Sequence, residues 1–319
     1  MHKVIFDTDP GVDDAMALLF LHRHPEIDLV GVTTTIGNAP IDITTRNALF
    51  LTEAWGIEVP VAQGSGEKFD PKRSNGHWPT FIHGDNGLGN IDIPETIDRK
   101  PDPRSAQQFI IDTVRANPGE ITLVAVGRMT NLALVVTADP DVARLVKSVV
   151  IMGGAFDVPG NVTPAAEANI YGDPEAADLV FTAPWPVTIV GLDVTMQTVM
   201  SRIFLGDMAR EAGKDIQLLS DLSQFYIDFY NHRVGDGMAV HDSCACVYVV
   251  RPDLFETRGG AVRVVCGGIA DGMTIQKPDA KLFPPGEWDG HPSQTVCTGI
   301  DADAVLGLIR TVLVEGKAA

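Results

Sequence analysis

VIFDTDPGVDDAMALLF, residues 4–20, is the stretch whose reading decides the fold. A short apolar run leads into four aspartates within eight residues, Asp7, Asp9, Asp13 and Asp14, and a second apolar run follows. On a strand, residues two apart face the same side, so Asp7 and Asp9 are expected to point together. Pro10-Gly11 makes a turn, and Asp13-Asp14 open a helix, where capping and the helix dipole favour acids. Capping accounts for one of the four. Asp7 and Asp9 end a buried strand, where desolvation and mutual repulsion drive carboxylates toward their neutral form. A bound hard cation resolves that conflict, because Ca²⁺ and Mg²⁺ take several carboxylate oxygens.

The same texture continues outward. IDLVGVTTT, VPVAQG, ITLVAVG, VKSVVIMGG and WPVTIVGLD read as strands. The runs bounded by glycine are continuously apolar, as suits a sheet buried on both faces. Helical patterns fill the gaps: IDITTRNALFLTEAWG closed by Gly56, RSAQQFIIDTVRANPG, NLALVVTADP and PEAADLVFTA. The alternation predicts an open, mainly parallel, doubly wound α/β sheet. In such sheets ligands bind beyond the carboxyl ends of the strands, where the aspartates sit. After about residue 250, AVRVVCGG, GMTIQKP and SQTVCTGI read as shorter strands added to the same sheet, and DADAVLGLIRTVLVEG as a final helix. No linker, repeat or low-complexity stretch divides the chain, so a single domain over 1–319 is expected. Residues 64–104 are loop-rich, and FIHGDNGLG within them favours a binding loop.

Composition narrows the partners. Apolar residues make up 45% and charged residues 21%, an ordinary globular balance. A net charge of -18 argues against nucleic acid and anionic lipid as partners. No apolar run is long enough to span a membrane. The N-terminus passes from Lys3 straight into a strand-like run without a signal-peptide pattern, so a cytoplasmic location is expected. Cys244, Cys246, Cys266 and Cys297 form no CxxC pair and read as core residues in a reducing compartment.

An aspartyl-phosphate enzyme of the haloacid dehalogenase type also carries D-x-D after a first strand. There a small-residue, Thr-containing loop follows, whereas here it is Pro10-Gly11-Val12-Asp13-Asp14. DTDPGVDDAMAL instead resembles the N-terminal signature of the nucleoside hydrolases, the inosine-uridine preferring N-ribohydrolase family. TTTIGNAPIDITTRNAL, LVAVGRMTNLAL, VVIMGGAF with GNVTPAAEANIYGDPEAA, and AVHDSCACVYVVRPDLF resemble further family motifs in the right order, from residue 4 to about 255. The HDSCACVYVVRPDLF phrase looks more like the broad-specificity bacterial ribonucleoside hydrolases than like narrow pyrimidine enzymes.

The resemblance implies one Ca²⁺ per subunit held by Asp9, Asp14, Asp242 and the Val126 carbonyl, and a homodimer or homotetramer. Cleaving the ribosyl C–N bond needs a positioned water, stabilisation of a cationic sugar and protonation of the leaving base. Calcium orients the water and lowers its pKa. Asp9 is the expected general base, with inversion by direct displacement. Asp13, Asn38, Asn161, Glu167, Asn169 and Asp242 align with ribose contacts; Met152 packs under the sugar; Asp7 orients the others. His241 matches the acid for the base and His83 a pocket histidine. Tyr226, Tyr230 and His232 lie in QFYIDFYNHRVGDG, either a pocket wall or an amphipathic helix face. Three residues depart from the commoner pattern: Ala168, where many members have an aromatic, Arg128 and Ser243. The implied activity is hydrolysis of inosine, uridine and related ribonucleosides. Competing readings are hydrolysis of another riboside, such as a modified nucleoside or nicotinamide riboside, and a catalytically silent nucleoside-binding protein.

Overall fold

A computed structural model describes residues 1–316. Its strands are β1 (His2–Thr8), β2 (Ile27–Thr34), β3 (Val61–Gln63), β4 (Ile121–Ala125), β5 (Ser148–Met152), β6 (Val187–Val190), β7 (Val199–Ser201), β8 (Gly237–Ala239), β9 (Phe255–Val264), β10 (Thr274–Pro278) and β11 (Gln294–Ile300). Nine of them form one sheet in the order β10-β9-β11-β6-β5-β4-β1-β2-β3. From β3 to β11 every neighbouring pair is parallel; β9 and β10 complete the far edge antiparallel. The expected doubly wound sheet with extra C-terminal strands is therefore the observed one. β9 begins at Phe255 rather than near Ala261, because its first half pairs with β11.

Both faces of the sheet are covered. On β1, Val4 and Phe6 enter one apolar core while Ile5 enters the other; on β5, Val150 and Met152 oppose Val149 and Ile151. This is why the central strands read as unbroken apolar runs rather than alternating ones. The first helix, Val12–Arg23, is buried at every residue except His22. It is a core helix apolar all round, not an amphipathic surface helix.

Chain order reverses direction between β1 and β4, which creates a crevice at their carboxyl ends. Asp7 pairs across to Ala125 and Thr33 there. The helix Val12–Arg23 packs against the helix His241–Val250, and both begin at this crevice. Asp13 and Asp14 lie in the first turn of one, Asp242 in the first turn of the other. Packing of these two helices thus brings Asp13 and Asp14 beside Asp242, far apart in sequence. Residues 199–239 build a cap that the sequence reading touches only at its last helix: β7 pairs with β8, flanking helices Arg202–Ala212 and Lys214–Val234. Among the described residues no helix is long and apolar enough to cross a membrane.

Candidate active site

A cavity of about 730 Å³ opens at the crevice. Asp9, Asp13, Asn38, Val126, Met152, Asn161, Glu167, Asn169, His83, His241 and Asp242 all line it, so the sequence positions from Asp9 to Asp242 meet around one cavity. Asp14 and Asp7 are buried behind its lining.

Asp13, Asp14 and Asp242 each present a carboxylate oxygen within 4.8 Å of the others. Asp14 is held from three sides. The Thr8 hydroxyl donates to its Oδ1 at 2.5 Å, and the Gly11 N–H and Asn38 Nδ2 both donate to Oδ2 at 2.9 Å. Capping and cation binding are therefore not alternatives: Asp14 closes the first helical turn with one oxygen while remaining in the cluster. Asn38 also ties in Asp9, donating its backbone N–H to Oδ2 at 2.7 Å and its Nδ2 to the Asp9 carbonyl at 3.1 Å. Asp9 Oδ1 is buried with no hydrogen-bond partner among the described residues. Gly37 and Gly127 leave room for this carboxylate: a Cβ would lie 1.8 Å from Oδ2 at Gly37 and 2.4 Å from Oδ1 at Gly127.

Burial followed by the charge of Asp14 pushes Asp9 well above the ordinary carboxylate range and Asp13 to about 8. Asp242 is raised by burial and then by Asp13, Asp14 and Asp9. Four adjacent buried acids, one with an orphaned oxygen, can ionise together only if a positive charge offsets them. The residues fit a hard divalent ion. The Val126 carbonyl belongs to the same floor and accepts from Asn169 Nδ2 at 2.6 Å. Asp7 stands apart, accepting from the Thr33 hydroxyl at 2.5 Å and from Asn131 Nδ2 at 2.7 Å, with burial raising it to about 7.

Some expected ribose contacts have structural duties as well. Glu167 accepts from the backbone N–H groups of Gly154, Asn169 and Ile170, capping the helix Ala168–Gly172. That cap aims Asn169 at the floor. Asn161 accepts from the Ala168 N–H at 3.0 Å.

The opposite wall is aromatic. His83 and Tyr226 have ring centroids 5.1 Å apart, Tyr226 and Tyr230 4.9 Å, and Tyr230 and Phe229 5.2 Å. Tyr226, Phe229 and Tyr230 all come from the helix Lys214–Val234. His232 is exposed and takes no part. The His241 Nε2 meets the Tyr230 hydroxyl at 2.8 Å, and its Nδ1 meets the Thr195 hydroxyl at 2.7 Å. Burial lowers His241 to about 4 and His83 to about 3, so both rings are neutral near pH 7. His83 Nδ1 accepts from the Val12 N–H at 3.3 Å. Tyr226 and Tyr230 thus take the pocket-wall option of the sequence reading, and Thr195, Thr8 and Asn131, to which that reading gave no role, hydrogen-bond the site residues.

A doubly wound sheet with a buried carboxylate cluster at its switch point, facing an aromatic wall across a cavity of small-molecule size, defines a small-molecule site. The family model for inosine-uridine preferring nucleoside hydrolase matches residues 4–307, and the chain belongs to that family of nucleoside hydrolases. It is similar to uridine nucleosidase 1 of Arabidopsis thaliana, 42% identical over 98% of this chain and 93% of the relative. Among solved structures, a plant nucleoside hydrolase superposes with a TM-score of 0.94 at 40% identity, covering 98% and 99% of the two chains. A purine-preferring ribonucleoside hydrolase from Gardnerella vaginalis superposes with a TM-score of 0.90 at 35% identity, covering 98% of each.

Proposed function

We propose that this nucleoside hydrolase is calcium-dependent, with one ion per subunit, and cleaves inosine, uridine and related ribonucleosides to free base and ribose. The observation that carries the reading is the buried carboxylate cage with the orphaned Asp9 oxygen at the cavity floor. Asp9, Asp14, Asp242 and the Val126 carbonyl would hold the ion. When bound, it would supply charge to offset the carboxylates and to acidify a water at the ribose.

The chain's own residues divide the remaining work. Asn38 fixes Asp9 Oδ2, which leaves Oδ1 to take the proton of the attacking water. Asp13 and Asn169 face the space for the sugar hydroxyls, with Met152 beneath. Carboxylates around a ribose favour the positive charge that develops as the C–N bond breaks. The Tyr226–Tyr230 wall stacks the base. Because burial holds His241 neutral near pH 7, the proton for the leaving base passes through the Tyr230–His241 hydrogen bond rather than from a resting imidazolium. Direct displacement implies inversion at the anomeric carbon. The catalytic unit is one domain, and homodimer or homotetramer formation and a cytoplasmic setting fit the family reading.

Ribose release from inosine, uridine, cytidine and adenosine, by metal-stripped and calcium-supplemented protein and by Asp9→Asn, tests this. Calcium-dependent release lost in the variant is expected. Binding of all four without release would instead make the protein a nucleoside-binding module.

A further inference from the structure

Arg128 is left unused by the hydrolytic chemistry. It is 7% exposed and lines the cavity, yet no carboxylate pairs with it among the described residues. Its one side-chain hydrogen bond is a long contact of 3.5 Å from Nη1 to the Asn75 carbonyl. The guanidinium lies over the Trp78 ring at 5.6 Å, and Gly172 makes room for it, since a Cβ there would sit 2.6 Å from Nε. A buried guanidinium with unused donors facing open space is costly without an anion.

Lys68 lines the same arm of the cavity and has no hydrogen-bond or ion-pair partner among the described residues. Burial and then the positive charge of Arg128 lower its pKa, so the two cations repel across the arm. The nearby anions are committed elsewhere. Asp173 Oδ2 accepts from the Phe69 N–H and the Thr130 hydroxyl, and Asp271 and Glu175 are paired with Arg73. Arg128 follows directly on Val126-Gly127 and senses Asp9, and it touches Gly172 of the helix that carries Asn169. The arm therefore adjoins Gly127, which abuts Asp9, and the helix that carries Asn169, the residues read as the sugar end of the cavity.

We propose that Arg128 and Lys68 form an oxyanion subsite beside the ribose, so that the substrates include ribosides bearing a phosphate on the sugar. A carboxylate carried by the base offers the same chemistry from the other end of the substrate. The inference rests on the reading of the cavity as a riboside site.

The test compares kcat/KM for uridine 5′-monophosphate against uridine, and for nicotinate riboside against nicotinamide riboside, in the native enzyme, Arg128→Gln and Lys68→Gln. The phosphate-to-neutral ratio is expected to fall about tenfold or more in each variant, as loss of a charged hydrogen bond implies. A fall confined to the nicotinate ratio would overturn the sugar assignment and place the oxyanion on the base. Unmoved ratios would overturn the subsite. Calorimetry with ribose 5-phosphate and ribose decides the matter independently of turnover. The phosphate should bind at least about tenfold more tightly to the native protein, with an advantage that weakens in salt and disappears in Lys68→Gln, whose half-buried side chain can be replaced without opening the core. Equal affinities would refute the subsite, whereas failure to hydrolyse uridine would refute only the reaction.

Discussion

Replacing Gly37 by alanine tests the placement of Asp9 without touching a charged group. A Cβ at residue 37 would stand 1.8 Å from Asp9 Oδ2 and 2.7 Å from its Cγ. Ordinary contact begins near 3.4 Å, so the carboxylate must retreat by about 1.6 Å. The retreat breaks the 2.7 Å bond from the Asn38 N–H and turns Oδ1 away from the sugar. Gly37 has no positive φ, so backbone strain does not confuse the result. Misplacement of a catalytic group by an ångström costs on the order of 100-fold in rate, while overpacking costs about 1–3 kcal/mol of stability. Steady-state hydrolysis of inosine and uridine, with thermal melting as the folding control, provides the assay. A drop in kcat of about 100-fold in a protein that still melts cooperatively is expected. A folded variant within threefold of the native rate would refute the role given to Asp9.

Other substitutions separate the remaining roles. Tyr230→Phe removes the hydroxyl partner of His241 and should lower kcat for inosine and uridine; it should act far less on p-nitrophenyl riboside, whose leaving group needs no proton. Equal losses on both would remove Tyr230 from proton delivery. Thr8→Val strips a buried 2.5 Å hydrogen bond from Asp14 Oδ1 and should weaken calcium affinity about tenfold by titration calorimetry, as loss of an outer partner of a metal ligand does. Unchanged affinity would show that Thr8 does not orient Asp14. Asn131→Leu leaves Asp7 with only the Thr33 hydroxyl and should destabilise the fold by about 1–3 kcal/mol in urea unfolding. A loss of activity without loss of stability would instead move Asp7 into the chemistry.

The sheet was legible in the sequence because its central strands are buried on both faces, which leaves unbroken apolar runs such as Val149–Met152, closed by Gly153-Gly154. The cage was legible because Asp7 to Asp14 concentrate charge where a buried strand ends. What escaped is of two kinds. The cap helix Arg202–Ala212 buries only Leu205, Met208 and Ala209, too weak a pattern to declare itself among polar neighbours. Thr8, Asn131 and Thr195 contribute one hydrogen bond each to a functional group, and nothing in their local sequence distinguishes them from ordinary strand and helix residues. Tyr226 and Tyr230 lie four apart on a buried helix face, so the residues expected either on a helix face or in the pocket wall do both. The shared role of Asp14 has a similar origin: capping uses one oxygen and leaves the carboxyl in the cluster.

The most direct test is one calcium titration of metal-stripped protein, followed at once by ribose release from inosine and by melting temperature. A ligand that binds only the folded state raises stability in step with occupancy. Activity and melting temperature should rise together with one half-saturation point and one ion per subunit, and Asp242→Asn should abolish both responses. Full ribose release in excess chelator, or calcium that shifts neither quantity, would contradict the carboxylate cage as the centre of the chemistry.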